Sequence, residues 1–123
     1  MLLRPDTQPT KESPVIVELS NNSVHETVCS SSNALLLDVR PPMEFEAGHL
    51  RGAINIPIDE ISVRVDELPR DRQIIAYCRG EYCLFADEAV ELLRSQGFEA
   101  VRMEGGWPEW QSEGRPVQTG GRK

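Results

Sequence analysis

A short segment with a thiol at each end carries the residue types best suited to chemistry. Residues 78–83 read Cys-Arg-Gly-Glu-Tyr-Cys, between an apolar run at 73–77 that predicts a buried strand and an amphipathic pattern at 84–96 that predicts a helix. A tight loop between a strand and a helix tends to direct successive backbone amides inward, and the helix start adds partial positive charge. Cys78 is therefore expected to ionise more readily than a free thiol, whose pKa is about 8.5, and the thiolate is the nucleophile. Arg79 contributes a permanent positive charge beside it.

The alternative interpretation of Cys78 is a small hydrophobe in the core, because free cysteine is among the most buried residue types. The strand–loop–helix context favours the reactive interpretation. Cys29 receives the opposite assignment. It lies in a weak amphipathic pattern with Val24 and Val28, so we interpret it as a core residue.

Short apolar runs alternate with helical patterns over most of the chain. The predicted strands are residues 14–17, 34–39, 53–56, 73–77 and 99–103. The predicted helices are residues 22–30 with Asn21 or Asn22 as cap, 41–47 ending at Gly48, 59–68, 84–96 ending at Gly97, and a short one from Trp107. This alternation predicts one α/β domain at residues 14–117, with a mostly parallel five-stranded sheet flanked by helices, and loose arms at 1–13 and 118–123. Such sheets bind ligands beyond the carboxyl ends of their strands, where the loop at 78–83 is expected to lie.

Composition limits the partners and the location. Thirteen basic and twenty acidic residues give a net charge of −7, and a field of that sign repels phosphate backbones, so we expect no nucleic-acid binding by this chain alone. No apolar stretch approaches the roughly 18 residues of a membrane helix, and the first residues have no apolar signal-peptide segment. Three cysteines are too few for a disulfide scaffold, which predicts a reducing, cytoplasmic setting. The oligomeric state does not follow from these properties.

Two further segments accompany the cysteine loop. Residues 38–57 contain an Asp-x-Arg that begins at Asp38, followed by Glu-Phe, Gly-His-Leu, Gly-Ala and Asn-Ile-Pro, and residues 105–110 read Gly-Gly-Trp-Pro-Glu-Trp. In this order, the three segments resemble the signatures of the rhodanese family of single-domain sulfurtransferases over about residues 15–116. The resemblance implies a rhodanese-like three-layer α/β fold, with Cys78 as the catalytic cysteine at the head of a loop of inward-pointing amides.

The resemblance also implies a reaction. The Cys78 thiolate attacks the sulfane sulfur of a small-molecule or protein donor and becomes a persulfide, whose terminal anionic sulfur the loop amides hold as an oxyanion hole holds oxygen. A thiol acceptor or cyanide then removes that sulfur. No metal and no other cofactor is required. The residues expected to contact the substrate are Arg79, Gly80, Glu81, Tyr82 and Cys83.

Residues of the first signature are assigned supporting roles. The resemblance implies that Arg40 and Glu44 pair with each other, which their i,i+4 spacing also allows. His49 is interpreted as scaffold in a turn, although histidine titrates near neutrality. Asp38 ends a strand at the edge that bears the site, and we expect it to steady the loop through hydrogen bonds.

The loop departs from the common rhodanese form Cys-Arg-x-Gly-x-Arg at Glu81 and Cys83. The loss of a cation and the gain of an anion near the mouth predict weaker attraction for a dianion such as thiosulfate. The loop instead resembles the variant on rhodanese domains attached to arsenic-type winged-helix repressors. The arm before Val15 is too short for such a DNA-binding domain, so we expect a module that stands alone or has been separated from one.

Cys83 has two open interpretations. It fills the core at the helix start, or the ends of the loop approach within the roughly 4.4–6.8 Å between Cα atoms that a disulfide requires. In the second case Cys83 resolves the Cys78 persulfide or protects Cys78 from over-oxidation.

The same residues argue against two other functional classes and leave one alternative open. Protein-tyrosine phosphatases and the related arsenate reductases need an arginine after the cysteine and five further residues, to clasp the transferred group, and that position is Leu84. The cysteine pair lacks a second ligand pair at zinc-finger spacing. The alternative that stays open is a redox- or persulfide-sensing interaction module with little turnover, in which Cys78 and Cys83 form the switch. Trp107 and Trp110 are predicted to be packing residues.

Overall fold

The computed structural model describes residues 18–29, 33–80 and 83–120, so the predicted strand at 14–17 and the arm at 1–13 lie outside the described residues. The strands of the described chain are β1 (Glu18–Leu19), β2 (Leu35–Asp38), β3 (His49–Leu50), β4 (Ile54–Asn55), β5 (Ile74–Tyr77), β6 (Ala100–Met103) and β7 (Val117–Gln118). Its α-helices are α1 (Asn21–Cys29), α2 (Pro42–Ala47), α3 (Ile61–Arg64), α4 (Phe85–Ser95) and α5 (Trp107–Ser112). Short 3-10 turns, Ile58–Glu60 and Val65–Glu67, flank α3.

The central sheet has the strand order β1-β6-β5-β2-β4, and all of its neighbouring pairs are parallel. The predicted α/β class with a five-stranded, mostly parallel sheet is therefore confirmed. β3 and β7 form a separate antiparallel pair, which no sequence pattern predicted. Through this pair, part of the predicted loose tail is tied to the domain. Gln118 lies opposite His49, and the amide of Gly120 donates to the carbonyl of Glu46 at 2.7 Å.

Side chains alternate between the two faces of the central strands, which divides the core into two layers. On one face, Ile74, Ala76 and Cys78 belong to a layer with residues of α3 and α4. On the other face, Ile75 and Tyr77 belong to a layer with residues of α1 and α5. Because the alternation continues past the end of β5, Cys78 lies on the side of α4, the helix that follows the loop.

The first helix is capped differently from the prediction. Ser20, rather than Asn21 or Asn22, caps α1, because its hydroxyl accepts a hydrogen bond from the amide of Ser23 at 3.1 Å. The side chain of Asn21 instead accepts a hydrogen bond from the amide of Gly105 at 2.9 Å. Asn21 thus links the first helix to the turn that follows β6.

The helix predicted at 59–68 is the short α3 between its two 3-10 turns. Leu68 is extended, with φ −97° and ψ 141°, because it precedes Pro69, and a proline disfavours the helical conformation of the residue before it. Ile61 and Leu68, which lie at helical spacing within the predicted range, are both buried. The pattern therefore identified the apolar face correctly but overestimated the length of regular helix.

Candidate active site

Cys78 follows the last residue of the central strand β5 and is fully buried. Its sulfur is bonded to that of Cys83 in a disulfide, and the two Cα atoms are 6.3 Å apart, within the range of about 4.4–6.8 Å that such a bond requires. The structure therefore describes the oxidised form of the site, and reduction of this bond must precede any attack by the Cys78 thiolate. The site lies at the carboxyl end of the sheet, as predicted.

Cys83 is the last residue of the loop, shortly before α4, and is half-buried against the layer of α3 and α4. Its amide donates a hydrogen bond to the carbonyl of Gly80 at 3.1 Å, which closes a turn from Gly80 to Cys83. This turn returns the second sulfur to Cys78. In this form the Cys83 amide already has an acceptor, so it is not available to an anion as the predicted ring of amides requires.

Part of the predicted site is not described by the structure. Glu81 and Tyr82 lie outside the described residues, and so does the side chain of Cys29. Their assignments stay predictions. Within residues 18–29, 33–80 and 83–120, no group of three or more His, Cys, Asp or Glu side chains could hold a metal ion, and no helix is long and apolar enough to cross a membrane.

A buried arginine that no sequence pattern singled out contacts the loop. Arg102 of β6 is 2% exposed, and its guanidinium donates to the carbonyl of Gly80 at 3.0 Å and to that of Cys83 at 3.1 Å. The same group forms an ion pair with Asp87 of α4 at 2.9 Å. The sequence does contain a signal for this residue, because an arginine inside an apolar strand pattern is almost never fully buried unless it is paired.

The residue before Cys78 is held by a buried carboxylate. Tyr77 and Asp38 lie opposite each other on β5 and β2, and both are fully buried. The Tyr77 hydroxyl donates to Asp38 Oδ2 at 2.7 Å and accepts from the amide of Leu50 at 3.1 Å. Burial, followed by the charge of Asp38, raises the pKa of Tyr77 well above its usual value of 10.0. Asp38 thus supports the strand end that precedes Cys78, and the hydrogen bonds from Asp38 to the loop itself stay a prediction.

The predicted ion pair between Arg40 and Glu44 is wrong. Arg40 is buried and pairs with Asp38, with Nη2 and Oδ2 2.6 Å apart. Glu44 pairs instead with Arg79, at 2.8 Å. The i,i+4 spacing misleads here because α2 begins at Pro42, so Arg40 lies before the helix and does not share a helical face with Glu44.

The Glu44 carboxylate compensates the positive charge predicted beside Cys78. Arg79 is half-exposed, and its guanidinium lies 5.5 Å from the centre of the Phe85 ring while it binds Glu44. The hydrogen bond from this guanidinium to Glu44 raises the pKa of Arg79 above its usual value. The cation next to Cys78 is therefore engaged with α2 rather than directed at an anionic ligand.

Other motif residues pack, as predicted. His49 is buried, with Nδ1 2.7 Å from the carbonyl oxygen of Phe45 and its ring stacked on the Phe45 ring. Trp110 is fully buried and donates from Nε1 to the carbonyl of Pro116 at 2.8 Å. Trp107 is half-buried against the layer of α1 and α5.

The glycine before α5 lies directly against the backbone of the cysteine loop. A Cβ at Gly106 would come within 2.5 Å of Gly80 Cα and 2.7 Å of the carbonyl carbon of Arg79. The next residue, Trp107, donates its amide to the carbonyl of Cys78 at 3.0 Å. The Gly-Gly segment is therefore part of the site, because it allows the close approach that fixes one side of the loop.

A groove of about 470 Å³ lies elsewhere, between α2, β4 and α3. The residues that line it include no cysteine, serine or histidine, and none of them belongs to the described part of the cysteine loop. Cys78, rather than this groove, therefore stays the candidate for chemistry.

Known proteins resemble this chain in sequence and in structure. The family model for the rhodanese-like domain matches residues 20–113. The HTH-type transcriptional regulator Rv0324 of Mycobacterium tuberculosis is 52% identical over 85 residues, which are 69% of this chain and 38% of the regulator. A sulfurtransferase of Allochromatium vinosum is 29% identical over 104 residues, which cover 84% of this chain and 95% of that protein. The crystal structure of a rhodanese-related protein from Thermoplasma volcanium superposes with a TM-score of 0.74 at 31% identity, covering 83% of this chain and 97% of the other.

The matched region contains the three motifs found in the sequence. The similarity to a transcriptional regulator agrees with the resemblance of the loop to the variant on rhodanese domains attached to winged-helix repressors. The chain spans little more than a third of that regulator, so the similarity concerns this domain and not the whole regulator. A relative of similar length is named a sulfurtransferase. Family model, motifs and parallel sheet agree: the chain belongs to the family of rhodanese-like domains.

Proposed function

We propose that the reduced protein is a sulfurtransferase that carries a sulfane sulfur on Cys78. The observation that carries the proposal is the placement of Cys78 at the carboxyl end of the central strand, at the head of a loop whose carbonyls at Gly80 and Cys83 are bound by Arg102. With these carbonyls bound by Arg102, we expect loop amides other than that of Cys83, which donates to Gly80, to hold a terminal anionic sulfur. Relatives named sulfurtransferase support the same class of reaction.

The proposed reaction has two transfers without net oxidation. The Cys78 thiolate attacks the outer sulfur of a persulfide or thiosulfonate donor, a new S–S bond forms, and the donor's own S–S bond breaks with both electrons leaving on the donor. An acceptor thiolate then attacks the terminal sulfur of the Cys78 persulfide and regenerates the Cys78 thiolate. Before the first cycle, a dithiol reductant supplies the two electrons and two protons that open the Cys78–Cys83 bond.

The charges around the loop favour a thiol-bound persulfide as donor over thiosulfate. The Arg79 charge is compensated by Glu44, and the whole chain carries a net charge of −7. Both features weaken the attraction for a small dianion. A persulfide carried by a protein or a small thiol depends less on positive charge at the site, because the molecule that carries the sulfur can itself be bound through other contacts.

A second candidate function is supported by the disulfide itself. In a sensing module the Cys83 thiolate attacks the Sγ atom of the Cys78 persulfide, the Cys78–Cys83 bond forms, and hydrosulfide leaves with the electron pair of the broken S–S bond. The burial of Cys78 in the disulfide form favours this candidate, because the product protects the nucleophile from further reaction. The similarity to a transcriptional regulator is compatible with such a module.

Intact-mass measurement on the reduced protein tests the proposal and separates the two candidates. We expect incubation with glutathione persulfide to add one sulfur atom to the wild type and to Cys29→Ser, and none at this site to Cys78→Ser. With excess donor and an acceptor thiol, a sulfurtransferase transfers many sulfur atoms per chain, whereas a sensor loads once and converts to the disulfide. Undiminished transfer by Cys78→Ser with every donor would refute both candidates.

A further inference from the structure

Arg102 is a buried cation on the face of the sheet that carries Cys78. Its neighbours along β6, Val101 and Met103, face the layer of α1 and α5, so the alternation turns Arg102 toward α4. In the sheet register Arg102 lies opposite Ala76, which belongs to the same layer as Cys78. The arginine therefore reaches the cysteine loop from β6, which lies beside β5, the strand that precedes Cys78.

This guanidinium binds two backbone carbonyls of the cysteine loop. Its Nη2 donates to the carbonyl of Gly80 and its Nη1 to that of Cys83, at 3.0 and 3.1 Å. The Gly80 carbonyl also accepts the Cys83 amide that closes the turn. Because C=O and N–H point in opposite directions across a planar trans peptide, an anchored carbonyl fixes the direction of the amide in the same peptide unit.

The ion pairs of Arg102 keep the guanidinium in this orientation. Asp87 of α4 lies 2.9 Å from Nη1, and Glu18 of β1 lies 3.9 Å from Nε. A guanidinium has five donors in a rigid planar fork, so it can hold both carbonyls and a carboxylate at once. A lysine offers one point charge on a flexible stem and cannot reproduce this pattern.

We propose that Arg102 is a positioning residue for the two cysteines: by holding the Gly80 and Cys83 carbonyls, it fixes the backbone at these two points of the loop, which favours the Cys78 thiolate and keeps Cys83 within bonding distance of Cys78. Its part in catalysis rests on the proposed function, but its effect on the two thiols does not. The hydrogen bonds that carry this role go to the backbone carbonyls of Gly80 and Cys83.

Two substitutions test the proposal. In a Cys29→Ser, Cys83→Ser background, the rate of Cys78 alkylation by iodoacetamide as a function of pH gives the Cys78 pKa. We expect Arg102→Lys and Arg102→Gln each to raise this pKa by about one unit, which is about tenfold less thiolate at a pH well below the pKa. Because Arg102→Lys keeps the positive charge, a rise of the Cys78 pKa in both variants assigns the effect to the hydrogen bonds of the planar guanidinium and not to the charge alone.

A second readout concerns the disulfide. In the Cys29→Ser protein, equilibration with reduced and oxidised glutathione measures how readily two glutathione molecules reduce the Cys78–Cys83 bond. We expect both Arg102 variants to be reduced several-fold more readily, because the turn that presents Cys83 is released. Arg94→Gln is the control for the loss of a hydrogen bond from an arginine to a backbone carbonyl. Arg94 of α4 donates to the carbonyl of Ala100 at 3.0 Å, and Ala100 lies in β6 away from the loop.

The outcomes are distinct. An unchanged Cys78 pKa and an unchanged disulfide equilibrium in a folded Arg102→Lys would overturn the proposal. Equal effects of Arg94→Gln, or loss of the folded state in both Arg102 variants by thermal unfolding, would overturn it as well, because Arg102 would then be a general core residue. If the wild type takes no sulfur from any donor, the proposed function fails, yet the thiol measurements still decide the role of Arg102.

Discussion

At the scale of single residues, the site depends on polar groups that are buried with partners. Asp38 accepts hydrogen bonds from Tyr77 and Arg40, and Tyr77 in turn accepts one from the amide of Leu50. Each of these groups would be costly to bury alone, and removal of one partner leaves another unsatisfied. The network fixes the residue immediately before Cys78, which is why we assign it to the support of the site rather than to its chemistry.

Substitution of Tyr77 by phenylalanine tests this network and its pH dependence. At neutral pH we expect Tyr77→Phe to lower the free energy of unfolding by about 1–3 kcal/mol, because Asp38 and the Leu50 amide each lose a partner. The native pKa of Tyr77 is raised above 10.0. The contribution of Tyr77 to the free energy of unfolding is therefore complete below about pH 10. It is lost as pH rises toward the native pKa, at about 1.4 kcal/mol per pH unit. The stability difference between the two proteins should therefore shrink above about pH 10.

Urea unfolding of both proteins in the disulfide form, from about pH 8 to about pH 11, measures that difference. The cysteines and Tyr82 are common to both proteins, so their titration cancels. A difference that stays constant across this range would show that Tyr77 ionises as readily in the folded protein as in the unfolded chain.

At the scale of elements, the cysteine loop is fixed by segments that are distant from it in sequence. β6 supplies Arg102, and α2 supplies Glu44 to Arg79. The start of α5 places Gly106 against the loop backbone and hydrogen-bonds Cys78 through the next amide. The loop conformation is thus a property of several elements and not of the six loop residues alone.

Two glycine substitutions distinguish these contributions. Gly106→Ala would place a Cβ 2.5 Å from Gly80 Cα, so we expect it to displace the loop and to lower the free energy of unfolding by about 1–3 kcal/mol. Gly80→Ala is the control within the loop, because among the described residues its Cβ would meet only the Glu109 carboxylate, at 3.8 Å. Urea unfolding and the rate of Cys78 alkylation in the reduced proteins measure both effects. Equal tolerance of the two substitutions would show that α5 does not constrain the loop.

At the scale of the whole molecule, the net charge of −7 acts on every approaching ligand. A dianion is repelled over distances comparable to the Debye length, which falls from about 30 Å at 0.01 M salt to about 8 Å at 0.15 M. A neutral reagent experiences no such repulsion. The charge therefore predicts a salt dependence that differs between donors.

We expect the rate at which thiosulfate loads Cys78 to rise about threefold between these salt concentrations, because screening removes the repulsion. The rate with neutral methyl methanethiosulfonate, which the same thiolate attacks, should be nearly unchanged. Stopped assays read by intact mass on the reduced Cys29→Ser, Cys83→Ser protein measure both rates. A thiosulfate rate that falls with added salt would indicate a local cationic site that outweighs the net charge.

The sequence alone determined the fold class, the family and the place of Cys78 at the end of a strand. These properties are recorded locally, because apolar periodicity specifies strands and helices and because each motif is a short run of neighbouring residues. The carboxyl ends of parallel strands share one edge of a sheet, so the strand pattern by itself places Cys78 and Asp38 at the same edge.

Only the tertiary structure decided which side chains meet. Glu44 has a possible partner four residues away at Arg40, yet it binds Arg79, 35 residues away in sequence. Arg102 reaches the loop because the register of β6 against β5 and the alternation of the strand direct it there. The physical reason is that such contacts depend on the distance and direction between elements that pack from remote parts of the chain, and local spacing contains neither.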